Sequence, residues 1–411
     1  MGVAAKNSVC HVCAGVVREF VDFGSQPLSD AFVQPGDPAG DFRFRLAVGV
    51  CESCTMVQLM SEVPRDRMFH HDYPYLSSGS RFMREHFAAL AEKLRREELT
   101  GPAPFVVEIG CNDGVMLESF AADGVHHLGV EPSGGVAERA AAKGVRVRNT
   151  FFDEPTAVEI LAEHGPADVV FAANTLCHIP YIGSILRGVA ALLSPGGVFV
   201  FEDPYFADIV ERNSFDQIYD EHFFFFTVRS VQHMALMHGL ELVDVERLPV
   251  HGGELRYTLA RKGTRAVSLA VTDLAAQEER SGLTSPETLA GFASNVARIR
   301  TDLVELLRSL RAEGKTVVGY GATAKSATVL NFCGIGPELI PFICDTSVTK
   351  QGRVTPGSHI PVRPPDAFAD PYPDYAVLFA WNHAEEILAK EIGFRESGGR
   401  WIRYVPDVHI V

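Results

Sequence analysis

Short apolar runs that end in a glycine turn or a polar residue recur through the middle of the chain. They are FVVEIGCNDGVMLESF (105–120), HHLGVEPS (126–133), ADVVFAANTLCHIPY (167–181) and SPGGVFVFEDPYF (194–206). Apolar runs of this length, bounded by turn residues, are typical of buried strands. Because they alternate with helix-compatible segments, they favour a parallel sheet flanked by helices. The middle of the chain is therefore predicted to be a Rossmann-like α/β domain.

The last third of the chain repeats this pattern. KTVVGYGATAKSATVLN (315–331) combines an apolar run, a glycine turn and a helix start, and residues 270–312 predict helices that join it to the middle. This looks like half of a dinucleotide-binding fold, so an NAD-dependent nucleotide-sugar oxidoreductase is an alternative function. The third glycine of that fingerprint is missing, however, with Ala324 and Lys325 in its place. A lysine at a helix N-terminus favours a phosphate site without nicotinamide.

Four of the eight cysteines form two CxxC pairs near the N-terminus, Cys10 with Cys13 and Cys51 with Cys54. Two such pairs supply the four thiolates that tetrahedral zinc prefers, and four thiolates leave no open position for catalysis. A structural zinc ribbon is predicted, although residues 14–50 make an unusually long connection. His11 is expected to be an exposed spacer, and the four isolated cysteines are expected to be buried apolar residues.

Composition and charge narrow the function classes. The chain has 411 residues, 46% of them apolar and 22% charged, which is typical of a globular protein of two or three domains. Its 52 acidic and 37 basic residues give a net charge of −15, which argues against nucleic acid or membrane as a partner. The N-terminus does not read as a signal peptide, so a cytoplasmic location is expected. In that reducing compartment, paired cysteines favour metal over disulfides.

The glycine turn of the middle domain is the predicted cofactor site. Acidic residues flank the turn, which disfavours a diphosphate and favours a cationic or neutral nucleoside. Glu131 ends the next strand, where a carboxylate can bind both hydroxyls of a ribose. Ligands of open α/β sheets bind at the carboxyl ends of the strands, so these loops should share one cleft. The candidate cofactor-binding residues are Glu108, Gly110, Asn112, Gly114, Glu131 and Asn174.

Seven motifs in order resemble a known family. They are the CxxC pairs, YPYLSSGS, EIGCNDGVML, NTLCHIPY, FDQIYDEHFFFF, LPVHGGELRY and GYGATAKSATVLNFCGI. Together they resemble the three-domain deoxysugar C-methyltransferases of actinomycetes, and most closely the branch that methylates C-3 in dTDP-tetronitrose biosynthesis. The resemblance implies a zinc-binding domain over 1–80, a class I S-adenosylmethionine-binding domain over 81–262 and a Rossmann-like domain over 263–411 that helps to bind the nucleotide sugar.

The activity that this resemblance implies is methyl transfer from S-adenosylmethionine to C-3 of a dTDP-linked 4-keto deoxysugar, with an amino group expected at C-3. Methylation at C-5 or at oxygen is the alternative within the family, and a zinc-ribbon scaffold that only binds nucleotide sugars is another. A carbon beside a ketone becomes nucleophilic when a base removes its proton and a donor stabilises the enolate oxygen. Three packed domains need no partner to close the cleft, so a monomer is expected.

The residues for this chemistry are assigned by the family's motifs. The resemblance implies an active site lined by Tyr73, His178, Tyr219, Glu221 and His222. His222 is expected to be the base, because an imidazole beside four phenylalanines stays neutral near pH 7. Glu221 is the expected orienting group and Tyr219 or His178 the donor, whereas Asp220 is expected to face solvent.

The substrate contacts are less determined by the sequence. Tyr75 is the rival of Tyr73 in the same Tyr-Pro-Tyr turn, and the role of His251 stays open. The candidate substrate-binding residues are Tyr75, Ser77 and Ser78 and, for the diphosphate, Lys325, Lys350 and Arg353.

Overall fold

An antiparallel sheet of five strands begins the part of the chain that the computed structural model describes, residues 8–37, 42–71 and 73–411. Its first four strands are β1 (Ser8–Val9), β2 (Val16–Pro27), β3 (Arg43–Cys51) and β4 (Val57–Leu59). The fifth strand, Phe224–Phe225, comes from the middle domain and pairs with β4. The zinc-binding unit therefore shares a sheet with the end of the FDQIYDEHFFFF motif.

A connecting segment follows this sheet and leads into the middle domain. It contains α1 (Arg65–Met68), a 3₁₀ turn (Ser77–Gly79) and α2 (Arg81–Glu97). Apolar residues of α2 recur on one face, and Met83, Phe87, Leu90 and Leu94 are buried there. This helix begins directly after the YPYLSSGS motif and so fixes one end of it.

The middle domain is a seven-stranded sheet covered by helices. Its strands are β5 (Phe105–Ile109), β6 (His126–Val130), β7 (Val147–Arg148), β8 (Ala167–Ala173), β9 (Leu193–Pro204), β11 (Leu240–Leu248) and β12 (Glu254–Arg261), with Phe224–Phe225 as β10 in the first sheet. Its helices are α3 (Leu117–Ala122), α4 (Gly134–Ala142), α5 (Glu154–His164), α6 (Ile182–Leu192), α7 (Phe206–Arg212) and α8 (Val228–Leu236).

The strand order is β11-β12-β9-β8-β5-β6-β7. Strands β5 to β9 pair in parallel, whereas β12 is antiparallel to β9 and β11 is antiparallel to β12. Successive connections leave β5 in opposite directions, first toward β6 and then toward β8. Such a reversal opens a crevice at the carboxyl ends of the central strands. The predicted cofactor loops end at this crevice.

The C-terminal domain confirms the second Rossmann-like pattern. Two helices, α9 (Leu269–Ser281) and α10 (Pro286–Ala312), lead into it, as the sequence predicts. Its sheet has the order β15-β14-β13-β16-β17-β18, with only β18 antiparallel, and comprises β13 (Val317–Tyr320), β14 (Ile343–Cys344), β15 (Val362–Arg363), β16 (Tyr375–Leu378), β17 (Arg400–Arg403) and β18 (His409–Ile410). The helices are α11 (Ala324–Cys333), α12 (Asp366–Ala369), α13 (Ala384–Lys390) and α14 (Ile392–Glu396).

Three phenylalanines join the three units. Phe23 of β2 stacks on Phe215 with ring centroids 6.1 Å apart, and both rings meet Phe332 of α11, at 5.1 and 6.0 Å. Because each unit contributes one ring to this contact, the packing of the three rings holds the units together. Truncating a buried phenylalanine to alanine costs about 3–5 kcal/mol. Within the described ranges, no helix is both long and apolar enough to cross a membrane.

Candidate active site

The two CxxC pairs fold into matching knuckles. In each, the residue after the second cysteine has a left-handed backbone, Ala14 and Thr55 both with φ of 60°, and its amide donates to the carbonyl of the first cysteine. Backbone amides also point at sulfur, from Val12 to Cys10 and from Ser53 to Cys51. Two copies of one turn therefore present their thiols to a common point.

The four sulfurs fit a tetrahedral metal. The Sγ atoms of Cys10 and Cys54 are 3.6 Å apart and those of Cys13 and Cys51 are 3.5 Å apart, and all four lie within 4.8 Å of one another. Zinc–sulfur bonds of ~2.3 Å place tetrahedral sulfurs ~3.8 Å apart. These residues would hold a structural Zn²⁺. The other four cysteines are buried, as expected, and His11 is exposed and outside the cluster.

One cleft of about 480 Å³ lies where the three units meet. This volume falls in the range of small-molecule sites, ~300–1,000 Å³. All five predicted catalytic residues line it, together with Gly110, Asn112, Glu131 and Asn174 of the predicted cofactor set and Tyr75, Ser77, Lys325 and Lys350 of the predicted substrate set. Glu108, Gly114, Ser78 and Arg353 do not line it.

The glycine turn after β5 forms the floor of the cleft. Gly110 has a φ of +69°, and a Cβ there would lie 2.4 Å from Oγ1 of Thr175, so only glycine fits. Gly114 instead packs against α4, where a Cβ would lie 2.9 Å from that of Ala140. Glu108 is buried in β5 and does not line the cleft, and its Oε2 has no hydrogen-bond partner among the described residues.

Glu131, the predicted ribose-binding residue, lines the cleft at the end of β6. Its two carboxylate oxygens accept from the backbone amides of Asn112 at 2.9 Å and Ser133 at 2.8 Å. A carboxylate has about four lone-pair sites, so acceptor capacity remains for ribose hydroxyls. Burial raises the pKa of Glu131, and burial followed by the Glu131 charge raises the pKa of Glu108 well above its usual range. A cationic sulfonium favours the charged form of nearby carboxyl groups, so this turn fits S-adenosylmethionine.

The YPYLSSGS segment is bound to the cofactor turn through its backbone. Asn112 accepts from the amide of Ser77 at 3.0 Å and donates from Nδ2 to the carbonyl of Tyr75 at 3.2 Å. The hydroxyl of Ser78 donates to Asp113, which explains why Ser78 does not reach the cleft. Ser77 and Ser78 therefore anchor the segment, and Tyr73 and Tyr75 extend from it into the cleft.

A tight turn, rather than a strand or helix, presents the catalytic candidates. The amide of His222 donates to the carbonyl of Tyr219 at 3.1 Å, and the amide of Phe223 donates to Glu221 at 3.1 Å. In such a turn, adjacent Glu221 and His222 both face the cleft. Glu221 accepts from the phenol of Tyr73 at 3.0 Å. The phenylalanines Phe223 to Phe226 are at most 3% exposed and seal the back of the turn.

Hydrogen bonds assign the protons of His222. Its Nδ1 lies 2.8 Å from the carbonyl oxygen of Gln217, which can only accept, so Nδ1 carries the proton. Nε2 is then unprotonated, and the phenol of Tyr219 donates to it at 2.7 Å. The imidazole of His178 stacks on that of His222 with centroids 5.2 Å apart, and its own Nε2 has no partner among the described residues.

Burial keeps this cluster neutral. It lowers the pKa of His222 well below its usual range, assisted by the neighbouring His178, and lowers the pKa of His178 to about 3. Burial, followed by the charge of Glu221, raises the pKa of Tyr219 well above its usual range. At neutral pH, His222 is therefore a free base and Tyr219 a phenol that donates.

Cys177, His178 and His222 also bring ligand atoms within 4.8 Å of one another. Burial and the carboxylate of Asp203 raise the pKa of the Cys177 thiol well above its usual range. In the metal-free site, this thiol is therefore protonated at neutral pH.

The expectation that Asp220 faces solvent is wrong. It is 4% exposed, and its Oδ1 accepts from the amide of Ser29 in the zinc-binding unit at 2.9 Å. Burial raises the pKa of Asp220 to about 6. Asp220 thus connects the turn at residues 219–223 to the zinc-binding unit. The amide of Leu59 in β4 adds a bond to the carbonyl of Phe223 at 2.9 Å.

Two of the three predicted diphosphate contacts face the cleft. Lys325, at the start of α11, is 9% exposed and donates to the carbonyl of His251 at 3.3 Å. Lys350 donates to Asp30 at 3.3 Å and to the carbonyl of Ala322 at 3.0 Å. Arg353 turns away, because its guanidinium donates to the carbonyl of Phe32 at 3.0 Å.

Some cleft residues were missed by the sequence analysis. Asp30 enters from the zinc-binding unit, and nothing in its surrounding sequence marks it. Gln217 lies inside the FDQIYDEHFFFF motif, where a signal existed, and donates to the carbonyl of His251 at 2.6 Å. His251 itself lines the cleft, and burial lowers its pKa to about 3.

Comparison with known proteins identifies the family. The chain matches a zinc binding domain over residues 10–69, a methyltransferase domain over 75–245 and a C-methyltransferase C-terminal domain over 249–406. It is 37% identical over 406 residues to the C-methyltransferase NovU of Streptomyces niveus, covering 98% of this chain and 96% of that one. A ubiquinone biosynthesis O-methyltransferase of Burkholderia thailandensis is 28% identical over 180 residues, 39% of this chain and 74% of its own.

Several solved structures resemble the chain over less than half of its length. The complex of DhpI with S-adenosylhomocysteine (SAH) covers 46% of this chain and 89% of its own, with 18% identity and a TM-score of 0.33, too low to bear on the activity. The family assignment rests instead on the three consecutive family matches and on the full-length relative. This chain belongs to the S-adenosylmethionine-dependent C-methyltransferases.

Proposed function

We propose that the protein methylates C-3 of a dTDP-linked 4-keto deoxysugar that carries an amino group at C-3, as part of antibiotic deoxysugar biosynthesis. The observation that carries the proposal is the His222 imidazole, buried and neutral, with its Nε2 unprotonated and facing the cleft beside a phenol donor. When bound, S-adenosylmethionine supplies an electrophilic methyl group. Gly110, Asn112, Glu131 and Asn174 would hold it.

His222 is the base in this proposal. Its Nε2 removes the C-3 proton, the C–H electron pair forms the enolate, and the imidazole becomes an imidazolium. The carbonyl of Gln217 supports this role, because it accepts from Nδ1 in both protonation states and so holds the ring in one orientation. A positioned base of this kind contributes roughly 10²–10⁴-fold to the rate.

Tyr219 is the donor in this proposal. Its phenol occupies Nε2 in the free enzyme and must turn away before Nε2 can reach a C–H bond. The developing enolate oxygen offers it a negatively charged acceptor. One hydroxyl would then serve two acceptors in sequence, satisfying the base before substrate binds and the oxygen afterwards. His178, with an unpartnered and buried Nε2, is a second donor candidate.

The four phenylalanines exclude water from one side of the proposed active site. An enolate is quenched by water, and burial of Phe223 to Phe226 keeps water away from the back of the turn. The same burial keeps His222 unprotonated. This accounts for a run of titratable groups directly before four phenylalanines.

Carboxyl groups at the catalytic end of the cleft support an amino sugar. Glu221 and Asp30 both line the cleft, and the phenol of Tyr73 fixes Glu221. Carboxyl oxygens accept hydrogen bonds from an amine, whereas a hydroxyl substituent would offer a single donor. Lys325 and Lys350 line the same cleft and support the diphosphate of a nucleotide sugar.

A panel of dTDP-4-keto sugars tests this proposal. Pairs that differ only in an amino or hydroxyl group at C-3 are incubated with the enzyme and S-adenosylmethionine, and the products are analysed by mass spectrometry and NMR. The expected product carries the new methyl group on C-3 of the amino sugar. A methyl group on C-5 or oxygen, or a preference for the hydroxyl sugar, would contradict it. Binding of NAD in calorimetry without binding of S-adenosylhomocysteine would contradict it altogether.

A further inference from the structure

The C-terminal domain holds the turn that precedes the catalytic residues. Asp216 lies in the 3₁₀ turn Phe215–Gln217 of the middle domain and is fully buried. Its Oδ2 accepts from Nε1 of Trp381 at 2.6 Å and from the phenol of Tyr404 at 2.7 Å. Neither Asp216 nor its two donors line the cleft. Whatever this trio does for catalysis must therefore be transmitted through other residues.

Gln217, the residue after Asp216, connects it to His222. The carbonyl of Gln217 accepts from Nδ1 of His222 at 2.8 Å, and its side chain donates to the carbonyl of His251. One residue further, the carbonyl of Ile218 accepts from Oγ1 of Thr328 in α11 at 2.7 Å. The Gln217 carbonyl thus lies between two anchors to the C-terminal domain, one at Asp216 and one at Ile218.

We propose that Asp216 is a positioning residue for methyl transfer: held by Trp381 and Tyr404, it fixes the Gln217 carbonyl and thereby keeps the proton of His222 on Nδ1 and leaves Nε2 unprotonated. The inference rests on the proposed function, in that His222 is taken as the base. It gives the C-terminal domain a role in the chemistry beyond contacts to the nucleotide sugar.

The cost of burying Asp216 argues that the contact is selected for geometry. A buried carboxylate is expensive unless its oxygens are satisfied. Here Oδ2 takes both donors and the buried Oδ1 has no hydrogen-bond partner among the described residues. An apolar side chain here would leave the Trp381 indole and the Tyr404 phenol without their acceptor and the Gln217 carbonyl without a directional anchor.

Removal of the Tyr404 phenol is the sharpest test. Tyr404→Phe deletes one hydrogen bond and keeps the ring, whereas Asp216→Asn would also remove a charge that faces Lys325. The matched control is Tyr320→Phe, another buried tyrosine of the C-terminal domain, whose phenol donates to Glu391 at 2.7 Å. Both variants lose a phenol–carboxylate hydrogen bond, but only the bond of Tyr404 is to Asp216, which is linked to His222 through Gln217.

Two readouts are measured on the full-length, zinc-loaded enzyme. The first is kcat with KM and the affinity for S-adenosylhomocysteine. The second is the ¹⁵N spectrum of the histidine rings, in which the signal of His222 is assigned by its absence in His222→Asn. For Tyr404→Phe we expect kcat to fall roughly 10- to 100-fold, with KM and cofactor affinity unchanged and a new population protonated at Nε2. Tyr320→Phe should match the wild type.

Wild-type kcat and an unchanged ring spectrum in Tyr404→Phe would overturn the inference. Equal losses in Tyr404→Phe and Tyr320→Phe would overturn it too, since they would indicate general loosening of the domain. Full turnover by His222→Asn would instead overturn the base assignment of the proposed function. Even then, the ring spectrum of Tyr404→Phe reports separately on whether Asp216 sets the tautomer.

Discussion

The phenol of Tyr219 donates to Nε2 of His222 across 2.7 Å, and the two residues are 9% and 4% exposed, respectively. This bond occupies the one nitrogen that can act as a base. In the proposed chemistry, the phenol leaves the imidazole when substrate binds and donates to the enolate oxygen instead.

Tyr219→Phe tests whether the phenol also donates to the enolate oxygen. The variant frees Nε2 but removes the donor to the enolate, and loss of one such donor costs about 10²–10³-fold in kcat. We expect kcat to fall on that scale with little change in KM. The control is Tyr205→Phe, a buried tyrosine whose phenol donates to Glu278 at 2.9 Å, away from the cleft. A variant with near-wild-type kcat would show that Tyr219 is not the donor.

Lys350 and Arg353 form a natural pair for testing the diphosphate site. Lys350 lines the cleft, whereas Arg353 is bound to the carbonyl of Phe32. Charged hydrogen bonds contribute about 1.5–3 kcal/mol, so Lys350→Ala should raise the KM for the nucleotide sugar roughly 10- to 100-fold. Arg353→Ala should change it by no more than about twofold. Steady-state kinetics measure the KM of both variants. A larger increase in KM for Arg353→Ala than for Lys350→Ala would contradict the proposed diphosphate site.

The sequence predicted the local motifs well and the contacts between distant segments poorly. Cysteine spacing and the glycine turn are read from neighbouring residues. The four cysteines cluster as predicted, and Gly110 and Asn112 of the turn line the cleft whereas Gly114 does not. Asp220 lies in a run of polar residues and so suggests a solvated turn, but its partner Ser29 is 191 positions away. The Tyr404 bond to Asp216 spans 188 positions. Such contacts depend on how three domains pack, which no local pattern encodes.

Removal of zinc should affect catalysis as well as stability. The pairing of Phe224 with Gln58 and of Phe225 with Val57 ties the catalytic turn to the zinc-binding sheet. Cys51→Ser should lose the ~1 zinc per chain expected for a four-thiolate site, lower Tm and reduce kcat, because metal binding and folding are linked in such sites. Elemental analysis, calorimetry and kinetics measure the three effects. Cys333→Ser, at a buried cysteine outside the cluster, should retain zinc. Full kcat in metal-free Cys51→Ser would contradict the coupling.

Protonation of the buried His178 should cost stability as the pH falls. The folded-state pKa of His178 is about 3, below the unfolded value of ~6.5, so the unfolded chain binds the extra proton. Stability is therefore retained above the unfolded pKa and lost as pH falls below it, by about 1.4 kcal/mol per pH unit for such a group. Urea unfolding at pH 7, 6 and 5 measures this slope. His178→Asn should lose this contribution, so its stability relative to the wild type should rise as the pH falls; equal slopes in wild type and His178→Asn would contradict the assignment.

Exchange of the substrate C-3 hydrogen tests the central claim most directly. The dTDP-4-keto amino sugar is incubated with enzyme in deuterated water, with S-adenosylhomocysteine present so that the site is complete and no methyl can transfer. NMR should show deuterium entering C-3 with the wild-type enzyme, and exchange at least about 100-fold slower with His222→Asn, while both bind S-adenosylhomocysteine equally. Exchange at the wild-type rate in His222→Asn would contradict the account, because another group would then be removing the proton.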